Sequence, residues 1–368
     1  MFALDIRTSL GMIIGAVPTH SRGFRREAAG TNPCDRERSS ACPFGFAEAS
    51  QMRISAKVAL MLGTAVLFAG CAESQTPANM VDGISQARPI ASHAQRDASW
   101  MLPEAKREKL LYVSSYYKYV NVYSYPKGKL VGTLTGFGIL SQDCSDRRGN
   151  VWIIDNQNGK LYEYAHGGTV PIALIIPPSG NPLSCVVNPR NGDLAVGTGT
   201  EALFVYRHAK GTPVEYQDYA IEGFFYCAYD PKGNLFISGV TPDYKFQFAE
   251  LPRGAASILN ITLDQSITRP GGVAATSNSV AVGDGASGTI YEFQIAGSGG
   301  TEVGATVLDG AYGALGEFLI HGRRVVAALS SESFSAVDIF DWPAGGAPIN
   351  EITGDLQAPL GVAVSVPR

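Results

Sequence analysis

The sequence predicts an all-β fold, a six-bladed β-propeller, and three observations predict it. A strand-turn-strand unit recurs about every 41 to 45 residues from Lys109 onward. The composition, with 42 Gly, 21 Pro and 17% charged residues, is typical of a protein with many turns. The C-terminal segment Ala358–Ser365 matches the inner strands of other units. Five and seven blades stay open as alternatives because the first and fourth units are irregular.

The turns of the repeat define its units. The clearest copies are Asp146–Ile153, Asn188–Val196 and Asp230–Ile237, and the weaker copies are Ser277–Val282 and Gly322–Ala327. The clear copies place Asp or Asn and then Gly between two apolar runs, the composition of a tight turn between strands. Six units follow, with approximate bounds 109–134, 138–177, 181–221, 223–265, 267–308 and 310–353.

Ring closure is predicted from the last segment of the chain. Ala358–Ser365 resembles the inner strand Arg269–Ala275, and the unit that begins at Lys109 lacks an inner strand of its own. We therefore expect the C-terminal strand to complete the first blade. Closure of this kind removes the free sheet edges through which β-proteins aggregate. The predicted propeller domain spans residues 108–368.

Residues 52–71 have the anatomy of a bacterial lipoprotein signal peptide. Arg53 and Lys57 precede the apolar run Val58–Phe68, which is too short to span a membrane. The run ends in Ala-Gly-Cys, so we expect Cys71 to be lipidated and to become the mature N-terminus. An ordinary signal peptide with a chance cysteine is the alternative. Several acyl chains on one cysteine form a firm membrane anchor.

The segments on either side of this signal carry no predicted fold. Since signal peptides start at the initiator, we expect Met52 to be the true start and residues 1–51 to be a gene-model extension; a genuine long leader is the alternative. Residues 72–107 are polar and mixed and are predicted to be a flexible tether. Ala72, in place of the Asp that favours inner-membrane retention, indicates the outer membrane or another extracytoplasmic face.

Charge and hydropathy exclude several kinds of partner. The net charge of −4 and the pI near 5.8 indicate no excess of positive charge, so nucleic acid is not an expected partner. No run of 18 or more apolar residues is present, so no transmembrane helix is expected. About 260 residues remain in the repeat domain, enough for one large core, and we expect a monomer.

The pattern Pro-x-Gly-Val-Ala before an Asp-x-x-Gly-Asn turn and an aromatic third strand resembles NHL-repeat propellers and the related lactonase-like propellers. The resemblance covers residues 109–368 and concerns the fold more than an activity. Lactonase-like propellers hold a divalent metal in the central channel through Glu, Asn and Asp. The candidates for that role here are Glu317 and Asp143, with Asp284 and Asn181 nearby. We predict no cofactor, and Ca²⁺ or a similar divalent metal is the alternative.

Three cysteines lie on predicted inner strands. Cys185 and Cys227 stand three residues before Asn188 and Asp230, while Cys144 stands one residue closer to its turn. We expect small buried side chains there, with a Cys185–Cys227 disulfide as the alternative that an exported compartment permits. Because three is an odd number, their disulfide state stays open.

No catalytic set can be assembled from the sequence, so no catalytic residue is named. The first hypothesis is a membrane-anchored lipoprotein of the cell envelope whose propeller is a non-catalytic binding or scaffold module. The second is a metal-dependent, lactonase-like hydrolase with a site in the channel. The ligand of the module, whether protein, peptide or carbohydrate, is unknown. The aromatic pairs Tyr116–Tyr117 and Phe224–Phe225 are candidates for its contact surface.

Overall fold

The computed structural model describes residues 98–200, 202–276 and 278–368. The predicted leader 1–51, the signal peptide with Cys71, and residues 72–97 of the predicted tether lie outside these described residues. The described part contains 25 strands and two 3-10 turns, Pro103–Lys106 and Arg207–Ala209. In these same ranges no helix has the length and hydropathy needed to cross a membrane.

The first blade joins the beginning and the end of the described chain. Its strands are β1 (Trp100–Met101), β2 (Leu110–Ser115), β3 (Val120–Ser124), β4 (Lys129–Leu134) and β25 (Pro359–Ser365). They pair in the order β1-β4-β3-β2-β25, and every pair is antiparallel. β25 pairs with β2 from Leu110 opposite Ser365 to Ser115 opposite Pro359. The predicted closure by the C-terminal strand is therefore confirmed.

The other strands form five further four-stranded blades in chain order. Blade 2 contains β5 (Leu140–Ser145), β6 (Val151–Asp155), β7 (Lys160–Tyr164) and β8 (Pro171–Ile175). Blade 3 contains β9 (Pro182–Val187), β10 (Leu194–Thr198), β11 (Ala202–Tyr206) and β12 (Val214–Gln217). Blade 4 contains β13 (Gly223–Tyr229), β14 (Leu235–Val240), β15 (Phe246–Leu251) and β16 (Leu259–Leu263). Blade 5 contains β17 (Pro270–Ala275), β18 (Val280–Asp284), β19 (Thr289–Ala296) and β20 (Gly299–Val307), and blade 6 contains β21 (Leu315–Ile320), β22 (Arg324–Ser330), β23 (Ser335–Asp341) and β24 (Asn350–Ile352).

The blades form a ring around an axis. The inner strands β25, β5, β9, β13, β17 and β21 each contact the inner strands of both neighbouring blades, and β21 contacts β25. A short parallel pairing of β16 with β20 links the outer edges of blades 4 and 5. The predicted class, an all-β propeller, is confirmed: blade 1 has five strands, and each of the other five blades has four.

The repeated turns are stabilised by their acidic or amide side chains. Asp146 Oδ1 accepts the backbone N–H groups of Arg148 at 2.7 Å and Asn150 at 2.8 Å. Asp230 accepts from Asn234 N–H at 2.8 Å in the equivalent turn of blade 4. The glycine inside that turn, Gly233, has φ +93°, a backbone conformation that favours Gly. The turn roles expected for these aspartates therefore hold.

The core lies between blades, which explains why the second strands contain continuous apolar runs such as Val151–Ile154. Val151 and Ile153 of β6 pack toward blade 1, whereas Trp152 and Ile154 pack toward blade 3. Successive strand residues face opposite sides of a sheet, so a strand between two neighbouring blades buries both of its faces. Its sequence is a continuous apolar run rather than an alternating one.

The three cysteines are buried, as expected, but the disulfide is not the Cys185–Cys227 bridge considered as the alternative. Cys144 and Cys185 form a disulfide with a Cα–Cα distance of 5.8 Å, and Cys227 is a free, buried thiol. Cys185 and Cys227 occupy the same register, opposite Val196 and Ile237, so both face the preceding blade and cannot meet. Cys144 is offset by one residue and faces the following blade, where Cys185 faces back toward it.

The folded domain begins earlier than residue 108. β1 pairs with β4 through Trp100 opposite Thr133, and Ala105 in the following 3-10 turn is fully buried. Met101 and Leu102 pack against the core between blades 1 and 2. A strand of two residues is too short to produce a periodic pattern, so this part of the predicted tether could not be recognised as structured.

We expect deletion of Pro359–Arg368 to destabilise the propeller strongly. The deletion removes β25, leaves the edge of β2 unpaired, and removes the buried Val362 and Val364 from the core between blades 6 and 1. Burial of two valines contributes about 3–6 kcal/mol, before the lost hydrogen bonds are counted. Thermal unfolding followed by circular dichroism measures the effect.

Deletion of Pro367–Arg368 alone is the matched control, because these two residues lie beyond β25. It should leave the melting temperature unchanged. If the variant that lacks Pro359–Arg368 had the melting temperature of the full chain, β25 would not be what holds the ring closed.

Candidate functional site: the propeller axis

Six equivalent positions on the inner strands form what we call the axial ring. Alignment of the blades on their inner-strand ladders identifies its members as Gly361, Gln142, Ser184, Tyr226, Gly272 and Glu317, in blade order. Small and large residues alternate around this ring. The alternation lets three large polar side chains share a space that six could not fill without clashes.

Each inner strand pairs with another strand along one edge only. The backbone N–H and C=O groups of its other edge, which faces the axis, need other hydrogen-bond partners. Ser141 Oγ donates to Leu183 O at 2.6 Å, and Ser184 Oγ donates to Phe224 O at 2.9 Å, each reaching the inner strand of the next blade. Gln142 Nε2 donates to Phe225 O, which belongs to the inner strand two blades away. Buried carbonyl groups are thus satisfied by side chains rather than by another strand.

Glu317 satisfies N–H groups in the same way. Its Oε2 accepts the backbone N–H of Val362 at 2.7 Å, and its carboxylate also accepts the backbone N–H of Asp143. These donors lie on β25 and β5, so one side chain of blade 6 links the inner strands of blades 1 and 2. Gly361 permits this approach, because a Cβ at that position would lie 2.8 Å from Asp143 N.

Asp143 lies beside this network and is 2% exposed. Its Oδ1 accepts the hydroxyl of Ser114 at 2.7 Å, and its Oδ2 is buried without a hydrogen-bond partner among the described residues. Burial raises the pKa of Asp143 to about 7, although the hydrogen bonds from Ser114 oppose the shift. Burial, followed by the charge of Asp143, raises the pKa of Glu317 well above its ordinary value.

The two predicted metal candidates, Glu317 and Asp143, are therefore brought together in one hydrogen-bonded network. Within the described ranges no group of three or more His, Cys, Asp or Glu side chains is arranged to hold a metal. Asp284, a third candidate, accepts the N–H group of Ala286 at 3.0 Å in its own turn and that of Arg269, directly before β17, at 3.1 Å. Ca²⁺ takes about six to eight oxygen ligands. Glu317 and Asp143, whose carboxyl groups are hydrogen-bonded to the inner strands and to Ser114, do not supply that number.

No activated nucleophile is found at the axis among the described residues. Burial raises the pKa of the Cys227 thiol to about 12, so it is protonated at neutral pH. His166 and His208 are separate from it: His166 Nδ1 contacts Ser365 Oγ at 2.6 Å, and His208 Nδ1 contacts Asn191 O at 2.6 Å. Both rings thus lie in contacts that hold turns and blades together.

The predicted aromatic contact surface is only partly exposed. Tyr117 is 58% exposed and meets Tyr116 edge to face, with ring centroids 5.6 Å apart. Phe224 is fully buried between blades 3 and 4, so its assignment to a contact surface was wrong. An aromatic residue at the start of an inner strand faces a neighbouring blade as readily as solvent, and the sequence did not distinguish the two.

Solved structures with the same fold are found at low sequence identity. A chain in the crystal structure of a nidogen/laminin complex is 12% identical, with a TM-score of 0.59 over 70% of this chain and 98% of that chain. A protein of unknown function from Bacteroides caccae is 11% identical, with a TM-score of 0.53 over 70% and 99%. A functionally unknown protein from Desulfotomaculum acetoxidans is 11% identical, with a TM-score of 0.50 over 70% and 99%.

At these identities the likeness shows the propeller fold alone. No family model and no curated protein matches the chain.

We expect Asp143→Asn to flatten the pH dependence of stability. Because the folded-state pKa lies above the unfolded value near 3.8, the folded state binds more protons, and stability falls as pH rises from about 4 through about 7. The difference between pKa values of 3.8 and about 7 corresponds to about 4 kcal/mol. An amide does not titrate, so the variant should lose much of this slope while it still accepts the Ser114 hydroxyl.

The measurement is the free energy of unfolding in urea at several values between pH 4.5 and 8. The amide introduced by Asp143→Asn places an unpartnered N–H₂ group near the buried Oδ2 position and lowers the free energy of unfolding at every pH. The readout is therefore the slope of that free energy against pH, not its absolute value. Glu332→Gln, at an exposed carboxylate, is the control and should keep the full slope. Identical slopes in both variants would mean that Asp143 is ionised in the folded protein at pH 5.

Proposed function

We propose that the chain is an exported lipoprotein, anchored through Cys71, whose propeller binds a partner protein without catalysing a reaction. The proposed location of this lipoprotein is the cell envelope, in the outer membrane or on another extracytoplasmic face. The NHL-like and lactonase-like features of the sequence are taken as features of the fold, not of an activity.

The signal sequence supports the anchor. Arg53, Lys57 and the apolar run Val58–Phe68 direct export, and the small residues Ala69 and Gly70 before Cys71 suit cleavage and lipid attachment. The Cys144–Cys185 disulfide also supports an exported location, since structural disulfides form and persist in oxidising compartments.

The use of the axial carboxylates is the observation that carries the non-catalytic assignment. Glu317 accepts N–H groups of two neighbouring inner strands, and Asp143 accepts a hydroxyl of blade 1. These acids join blades 6, 1 and 2 at the closure of the ring. Groups that satisfy buried backbone donors are committed to the fold, so they favour a rigid module over a hydrolase.

Two features support a protein partner. Four aliphatic side chains at alternate positions in the outer strand β8 of blade 2 and directly beside its two ends are half or more exposed: Val170 (71%), Ile172 (56%), Leu174 (50%) and Ile176 (61%). A row of this kind on an edge strand is typical of a surface that another protein covers. In addition, one structurally similar chain comes from the crystal structure of a nidogen/laminin complex.

Lipidation is tested by metabolic labelling with a palmitate analogue in a Gram-negative host. The full chain should carry the label and fractionate with membranes, and Cys71→Ser should lose the label. Cys42→Ser, a cysteine upstream of Met52, is the matched control and should keep it. Equal labelling of both variants, or a mature N-terminus other than Cys71 by mass spectrometry, would contradict the anchor.

The absence of catalysis is tested by metal analysis and a lactone-hydrolysis assay of the purified protein. We expect neither stoichiometric calcium nor turnover, with or without added divalent metal. We expect Glu317→Gln to affect stability alone, because it alters an acceptor of the Val362 N–H group. Calcium bound at one equivalent and lost in Glu317→Gln, together with hydrolysis, would favour the metal-dependent lactonase-like alternative.

A further inference from the structure

A groove between blades 3 and 4 lies away from the axial ring. Its volume is about 670 Å³. It opens on the face that carries the β9–β10 and β13–β14 turns, and its walls include Val205 and Tyr216 of blade 3 and Tyr229 and Leu251 of blade 4. The volume is within the range of ordinary ligand sites, roughly 300–1,000 Å³. We call this site the arginine groove, after Arg147, Arg190 and Arg253 at its rim.

Two of these arginines converge on one glycine. A Cβ placed on Gly233 would lie 3.2 Å from Arg253 Cδ and 3.3 Å from Arg190 Cδ. Arg190 comes from the β9–β10 turn of blade 3, and Arg253 follows β15 of blade 4. The packing of the two blades thus brings two exposed guanidinium-bearing side chains to the same place. Gly233 leaves the space that both stems occupy.

Their charge has no carboxylate partner. Arg190 Nη1 donates to the carbonyl oxygen of Pro231 at 3.3 Å, and in the part of the chain that is described neither Arg190 nor Arg253 forms an ion pair. Asp193 is the one carboxylate among the lining residues. It is already bonded to the Asn191 amide at 2.7 Å and to the His208 N–H at 2.8 Å.

The groove therefore has three cationic groups and one anionic group. Like charges held side by side repel each other, and an anion between them removes that repulsion and gains hydrogen bonds that are strengthened by charge. The site combines this charge with aromatic and apolar walls. Tyr229 is partly buried in the wall, and burial raises its pKa, so its hydroxyl is neutral and can donate a hydrogen bond.

We propose that the arginine groove binds an acidic segment of a partner protein, with Asp or Glu carboxylates held by Arg190 and Arg253. The proposal rests on the protein-binding function proposed above and adds a charged contact surface to the apolar edge of blade 2. Side-chain carboxylates match the planar guanidinium fork, and the methylene stems of Glu suit a wall formed by Tyr216, Tyr229 and Leu251. Binding should weaken as ionic strength rises.

The test is isothermal titration of the full chain with an acetylated, amidated hexaglutamate peptide at low salt. The peptide should bind, and hexaglutamine should not. The double variant Arg190→Gln with Arg253→Gln should weaken binding at least about tenfold, since charged hydrogen bonds are lost from both side chains. Arg323→Gln, an exposed arginine of blade 6, is the control and should bind as the unaltered chain does.

The two single variants are measured as well, so that the result does not depend on one double variant. Circular dichroism checks that each variant is folded. Absence of hexaglutamate binding, or equal binding by the double variant and Arg323→Gln, would overturn the proposal. Binding of a carboxylated oligosaccharide such as hexamannuronate in place of the peptide would also overturn it, in favour of an acidic glycan. Because neither lipid labelling nor the metal assay involves this groove, failure here is distinguishable from failure of the anchored, non-catalytic function.

Discussion

An inner strand of this propeller is hydrogen-bonded to a partner strand on one side only. The N–H and C=O groups of its other edge lie near a crowded axis, where leaving them unpaired is costly. The protein solves this with side chains that reach the next inner strand, such as Ser141, Ser184 and Glu317. The arrangement works only if the blades stay in a closed ring, because each inner strand depends on its neighbour. The pairing of β25 with β2 supplies that closure.

The same constraint explains why acidic groups are buried at the axis. A carboxylate is an acceptor with several sites, so Glu317 can satisfy N–H groups of both β25 and β5 from a third blade. The consequence is a raised pKa for both groups: burial raises the pKa of Asp143, and burial followed by the charge of Asp143 raises the pKa of Glu317. Perturbed acids are common at active sites, but structural networks perturb pKa values too. Here the polar groups available for recognition lie on the surface, where the arginine groove carries unbalanced charge.

The parts of this fold that repeat were predictable from sequence, and the parts that break the repeat were not. Asp146 and Asp230 mark their turns because each side chain caps its own backbone locally. The Cys144–Cys185 disulfide depends on a one-residue offset that turns Cys144 to the opposite face of its strand. The offset is visible in the sequence. Its effect on the disulfide could not be predicted without knowing which face of the strand each position occupies.

The sites were predictable to a lesser degree. Glu317 and Asp143 were identified as carboxylates on inner strands, but blade 1 separates them in the ring, and only the placement of β25 brings them to one network. Arg190 and Arg253 lie in different kinds of turn on adjacent blades, and no spacing in the sequence relates them. Their convergence follows from the packing of blade 3 on blade 4.

Ring closure also fixes when the molecule can mature during synthesis. β25 is the last of the 25 described strands to be made, yet it belongs to the same sheet as β2, the second. Each of the five intervening blades can form from its own consecutive strands, but until β25 is made blade 1 lacks its inner strand and the ring stays open. The arrival of this last strand, rather than the speed of any single hairpin, therefore sets the earliest moment at which the ring can close and the protein can become resistant to proteases.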